Sequence, residues 1–169
     1  MQTILTQCDI LFLQEHWLSD EQLGCLGSVS VEHTALGVIG FGNSDVLSGR
    51  PYGGCAIVWR TSLKLSATSV TTNSRRMCTV MFSDGLMKLL CTIYLVYMPY
   101  ERAGTDTDNT ETFQQQLSII DSLIDLHSDC HVVLGGDLNV DFMRNAAHTG
   151  LLSDFCEHAS IYSVYAIAH

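Results

Sequence analysis

Asp137 and Asn139 stand two residues apart in HVVLGGDLNVD, residues 131–141, and are the pair in this chain best suited by type and spacing to chemistry. A carboxylate can orient or deprotonate an attacking water, and an amide can hydrogen-bond that water or a phosphoryl oxygen, so the pair suits phosphoester chemistry. Val132, Val133 and Leu134 are too few for a helix and run into Gly135-Gly136. They predict a short buried strand ending in a tight turn, with the pair just past it at the strand's carboxyl end. In extended chain the two side chains would share a face. Gly-Asp after a strand is equally ordinary turn chemistry, so the motif by itself leaves a plain surface turn open.

A second candidate is Glu15. DILFLQ, residues 9–14, reads as a strand that runs into Glu15-His16-Trp17-Leu18, which puts Glu15 where a strand gives way to a loop and a side chain can reach a cleft. A solvated acid beside a helix start explains it as well, because Ser19 and Gln22 have capping-box spacing for a short helix through about Leu26. A third is Tyr97, at the end of the long apolar run 87–98 that Pro99 stops. An aromatic packed at a strand end is the simpler account of it.

The remaining elements must position these residues. The segment 37–54, rich in Gly, Ser, Asn and Pro, reads as a loop feeding the strand GCAIVWR, residues 54–60. Residues 64–72 form a weaker strand. Strands over 76–82 and 87–98 are joined through Ser83-Asp84-Gly85-Leu86, a hairpin signal, and their imperfect alternation predicts sheet faces that are both largely covered. From Thr110, residues Phe113, Leu117, Ile120, Leu123, Ile124 and His127 mark a helix, with Asp108 and Glu111 placed to cap it. Leu151, Leu152, Phe155, Cys156 and Ala159 mark another. A hairpin inside a strand-helix succession favours α/β architecture with a mixed sheet over a doubly wound parallel one.

Composition bounds the reading. The 169 residues suit one domain with a real core, since 47% are hydrophobic and 15% charged. The formal net charge of -10, with only eight Lys and Arg, opposes tight nonspecific nucleic-acid binding; a bound cation and a few local basic groups could still offset phosphate charge. Seven cysteines, none in Cys-x-x-Cys spacing, argue against zinc and a disulfide framework and fit a reducing, intracellular compartment, nucleus or cytoplasm. The first residues lack a basic leader and a small-residue cleavage site, and no apolar run would span a bilayer, so no membrane partner is expected. There is no Walker A, G-x-G-x-x-G or G-x-S-x-G motif.

LQEHWL at 13–18, GRPYGGCAIVWR at 49–60, VYMP at 96–99 and GGDLNVD at 135–141 occur in an order that resembles the endonuclease/exonuclease/phosphatase superfamily. Within it the chain is most similar to the endonuclease domain of LINE-type (non-LTR) retrotransposons, through GRPYGG and the stretch 144–152. The resemblance implies a four-layer α/β sandwich, deoxyribonuclease I-like with mixed sheets, and magnesium-dependent phosphodiester cleavage, with Mn²⁺ the alternative ion. It implies Glu15 as a Mg²⁺ ligand and Asp137 as the group that activates water. Asn139 would support Asp137 and the phosphate, and Tyr97 would donate a hydrogen bond to the scissile phosphate. DNA is the implied partner, and a longer parent polypeptide the implied setting.

The departures from the family pattern are specific. A first strand carrying an Asn, and a terminal Asp and Ser-Asp-His, have no counterpart here, so the domain is expected to be truncated at both ends. His169 is not assigned the phosphate-binding role, His148 is expected to be structural, and Tyr100 replaces the Asn that follows Pro99 in several branches. Crippled catalysis and poor solubility are the corresponding expectations. Two other readings stay open: a phosphoesterase of the same superfamily acting on inositol phosphates, lipids or RNA, and a non-catalytic remnant.

Overall fold

The computed structural model describes residues 2–42, 53–86, 89–100, 107–143 and 146–162. Two compact units emerge from its contacts, one made of residues 1–97 and 127–138, the other of 98–126 and 139–169. The first contains a single helical turn, α1 (Gln2–Leu5), then β1 (Ile10–Gln14), a 3-10 turn Asp20–Gln22 and α2 (Gly24–Gly27). It continues with β2 (His33–Val38), β3 (Cys55–Arg60), a 3-10 turn Thr61–Leu63, β4 (Ser66–Ser69), β5 (Met77–Ser83), β6 (Leu89–Tyr97) and β7 (His131–Asp137).

These strands form two sheets. One is antiparallel in the order β1-β3-β2; the other runs β4-β5-β6-β7 and is mixed, because only the β6–β7 pair is parallel. The pleat sends alternate residues to one face. Cys55, Ile57 and Trp59 of β3 therefore meet Cys78, Val80 and Phe82 of β5 and Ile93 and Leu95 of β6 in one buried cluster. The Trp59 and Phe82 rings contact edge to face, centroids 5.3 Å apart. On the other face of β6, Tyr94 is fully buried and its hydroxyl lies 2.9 Å from His127 Nδ1, while Thr92 meets Cys130. Both faces of β3 and β6 are covered, which is why their sequences do not alternate cleanly.

In the second unit α3 (Thr107–Leu126) and α4 (Ala147–His158) pack together. Phe113, Leu117 and Ile120 recur at helical spacing and are buried, as are Leu152 and Phe155. His148 is 1% exposed and stacks on Phe113 with centroids 4.2 Å apart, so it serves packing, as expected of it.

Several expectations change. The segment read as a loop from Gly37 contains the end of β2, a strand that polar His33 and Thr34 and helix-tolerant Ala35 concealed; tertiary pairing with β3 overrides that weak local signal. Most of that loop, residues 43–52, lies outside the described residues. Gly135-Gly136 do not form a turn: they lie inside β7, and Asp137 is its last residue. Nor is β7 wholly buried, since Val133 is 44% exposed. The helix foreseen through Leu26 divides into a 3-10 turn and α2, although Gln22 Oε1 does accept from Ser19 N at 3.1 Å. α3 starts at Thr107, so Asp108 and Glu111 lie within its first turns instead of capping it. The β5–β6 hairpin forms, with a register shift at Phe82/Ser83; Met87 and Lys88 lie outside the described residues.

Candidate active site

The site is assembled where β1, β6 and β7 end. Tyr97 and Asp137 are the last paired residues of the parallel strands β6 and β7 and lie directly opposite each other. A parallel pair exposes the carboxyl ends of both strands on one side, which is where such sheets present functional groups. Asp137 is exposed there, and Tyr97 is half-buried. Arg76 holds Tyr97 in place. Its carbonyl accepts from Tyr97 N at 2.8 Å, and its guanidinium lies 6.0 Å from the ring centroid and donates to Tyr97 O at 3.4 Å.

β1 is tied to the same end by Gln14, whose Nε2 donates to Val96 O at 2.6 Å across the two sheets. Gly136 is required at that crossing. Its φ is +126°, and a Cβ there would run into Val96 O and lie 2.9 Å from Gln14 Nε2. Gly135 likewise admits the Phe12 ring of β1. The two glycines thus serve close approach of β7 to its neighbours. Sequence reasoning missed Gln14 and Arg76; a polar residue closing an apolar strand was the only signal for the first.

Glu15 follows Gln14 in left-handed conformation, φ +55°, and Trp17 adopts the same, φ +56°. The backbone is held there because Glu15 N donates to Gly54 O at 2.9 Å and Trp17 N to Gly53 O at 2.8 Å. Between them His16 Nδ1 accepts from Leu18 N, 3.1 Å, while Nε2 donates to Val38 O, 3.1 Å, which requires the neutral Nε2–H tautomer. Gly54, φ +84°, leaves no room for a side chain between Val38 O and that imidazole.

The Glu15 carboxylate accepts from Gly53 N through Oε2 at 3.0 Å. Among the described residues Oε1 has no hydrogen-bond partner, so one hard oxygen of a half-buried carboxylate remains available to a cation. Among the described residues no three His, Cys, Asp or Glu side chains converge as a metal cage. That donor set fits Mg²⁺, which keeps most of its waters and takes one or two carboxylates together with substrate phosphate oxygens. Charge at this end is felt by the buried Cys55 thiol, pushed up to about 12 first by burial, then by Cys78 and Glu15, with Arg76 opposing.

Asn139, in the second unit, is not in extended chain. Its φ is +51° and its Nδ2 donates to Met98 O at 2.7 Å, so the shared-face argument for Asp137 and Asn139 does not hold.

Solved structures with this fold include an AP endonuclease from Archaeoglobus fulgidus, with TM-score 0.58, 12% identity, and 90% of this chain matching 61% of that one. A beta toxin from Staphylococcus aureus gives TM-score 0.61 and 17% identity over 95% of this chain and 61% of that one. The human Nocturnin catalytic domain with a bound sulfate anion gives 0.52 and 15% over 94% and 60%. The chain thus spans about three fifths of the length of these structures. No curated protein sequence matches it. The mixed two-sheet α/β architecture is the one these structures share. A family model described as Endonuclease/Exonuclease/phosphatase family matches residues 1–158, and the chain belongs to that family.

Proposed function

We propose that this chain hydrolyses phosphodiesters with the help of Mg²⁺ and that its substrate is DNA, as in a retroelement endonuclease. The observation that carries the reading is the placement of Tyr97 beside Asp137 at two parallel strand ends, with Gln14 joining the exit of β1, and so Glu15, to Val96. Glu15 is the residue that would hold the ion, Mg²⁺ or Mn²⁺. When bound, the ion supplies positive charge to the phosphoryl and leaving oxygens. Asp137 accepts a proton from the attacking water, and the Tyr97 hydroxyl donates to a non-bridging phosphate oxygen. Arg76 fixes the Tyr97 ring and so the direction of that donor.

The net charge of -10 favours a second reading on the same chemistry, in which the substrate is a small or lipid phosphodiester that needs no basic track. Nicking of supercoiled DNA in Mg²⁺ is the test, run on the chain and on Asp137→Ala beside a panel of inositol phosphate, lipid and RNA substrates. Nicking lost with Asp137 supports the DNA reading. Asp137-dependent turnover of a panel substrate with no nicking replaces it by the second. No turnover of any substrate supports a non-catalytic remnant.

A further inference from the structure

We propose that Trp17 is a substrate-binding residue whose indole stacks on a nucleobase next to the scissile phosphodiester; this rests on the nucleic-acid reading above and names how that site grips its substrate. A bulky residue with φ +56° is a backbone outlier, and such strain persists only where the surroundings enforce it. Among the described residues, Gly53 supplies part of that enforcement. Its carbonyl accepts from Trp17 N at 2.8 Å, and its N–H donates to the Glu15 carboxylate at 3.0 Å. The Trp17 backbone and the proposed ion-holding carboxylate are therefore held by the same residue.

Among the described residues the indole packs against Gly53 and Phe41. A Cβ on Gly53 would come 2.7 Å from Trp17 Cδ2, so the ring lies flat against bare backbone, and Phe41 flanks it with centroids 6.0 Å apart at 40°. Yet Trp17 remains 47% exposed, whereas the other tryptophan, Trp59, is 5% exposed in the core. Tryptophan is usually well buried, and a half-exposed ring on a backbone held by the glycine that also holds the Glu15 carboxylate offers a stacking platform for a planar group. Charge supports the same choice. A chain with eight Lys and Arg against eighteen Asp and Glu has little with which to neutralise phosphates, and stacking is a source of affinity that needs no positive charge.

The test uses Trp17 emission in the Trp59→Phe variant, titrated in Ca²⁺ with a short single-stranded oligonucleotide and with an abasic sugar-phosphate oligomer of equal length. Binding of the dye-labelled oligonucleotide to the otherwise unaltered chain, followed by anisotropy, covers the case in which Trp59→Phe fails to fold. The expected result is quenching by the base-bearing strand alone, about 5- to 100-fold weaker binding in Trp17→Ala, and most of the affinity kept in Trp17→Phe. The salt dependence of binding should also be shallow, with a slope near that of one or two phosphate contacts. Equal quenching by the abasic oligomer, or unchanged affinity in Trp17→Ala, overturns the proposal. Should DNA cleavage still depend on Asp137 in that event, the nuclease reading stands without it. If no oligonucleotide binds and no DNA is cut, both fall together.

Discussion

Gly136→Ala should be among the most damaging single-methyl changes available in this chain. At φ +126° an alanine is strained, which costs about 1–3 kcal/mol. The new Cβ would also collide with Val96 O, a backbone atom that cannot swing aside, and crowd Gln14 Nε2 at 2.9 Å. Losing the Gln14–Val96 hydrogen bond adds about 0.5–1.5 kcal/mol, so a total near 2–4 kcal/mol is expected. Urea unfolding reads this directly: with a slope of about 1–3 kcal/mol per molar, the midpoint should fall by roughly 1–2 M. Gly150→Ala is the internal control. It lies within α4 with nothing within 4 Å of the added methyl, so the same substitution should stabilise by about 0.5–1 kcal/mol. A loss under about 1 kcal/mol for Gly136→Ala, or equal effects at the two positions, would refute the account of why β7 carries a glycine there. In Gln14→Ala the cost of Gly136→Ala should shrink by the share due to the lost hydrogen bond, because the two changes act on one contact.

Glu15→Gln keeps an oxygen for Gly53 N but removes the charge; melting should change by less than about 1 kcal/mol while Mg²⁺-dependent turnover drops at least about 100-fold. Phe82→Ala, fully buried between the sheets, should cost about 3–5 kcal/mol in urea unfolding. Cys55 and Cys78 are both pushed from 9.0 up to about 12, chiefly by burial. Their folded pKa values exceed the unfolded ones, so the stability they confer is complete below about pH 9 and is lost as pH rises toward 12. Unfolding free energies from urea should therefore fall on that limb by up to about 1.4 kcal/mol per pH unit for each thiol, less steeply in Cys78→Ala, and exposed Cys25 should react with a thiol reagent at pH 8 well before either.

Much of the scaffold was legible because it is local. Ile10–Gln14, Cys55–Arg60, the β5–β6 hairpin and both long helices announce themselves through apolar runs, Asp-Gly and helical spacing. What was not legible depends on partners distant in sequence. β2 is a strand because β3 pairs with it, register His33 to Arg60, and its own residues carry little preference. The tight-turn reading of Gly135-Gly136 failed for a related reason: glycine marks both turns and close approach, and only the position of Phe12 and Val96 distinguishes them.

The candidate site divides in the same way. Residue type and spacing raised Asp137 and Asn139, and position at a strand end raised Glu15, while the family resemblance implied the roles of these three and of Tyr97. The chain's composition likewise determined its acidity and its capacity for a core. Only tertiary structure decided that Tyr97 faces Asp137 across a parallel pair, that Gln14 spans the sheets, and that Trp17 is held half-exposed by the glycine that also fixes Glu15. Those relations join residues 36 to 82 positions apart, and they arise from sheet register and close backbone approach, which no local pattern of side chains encodes.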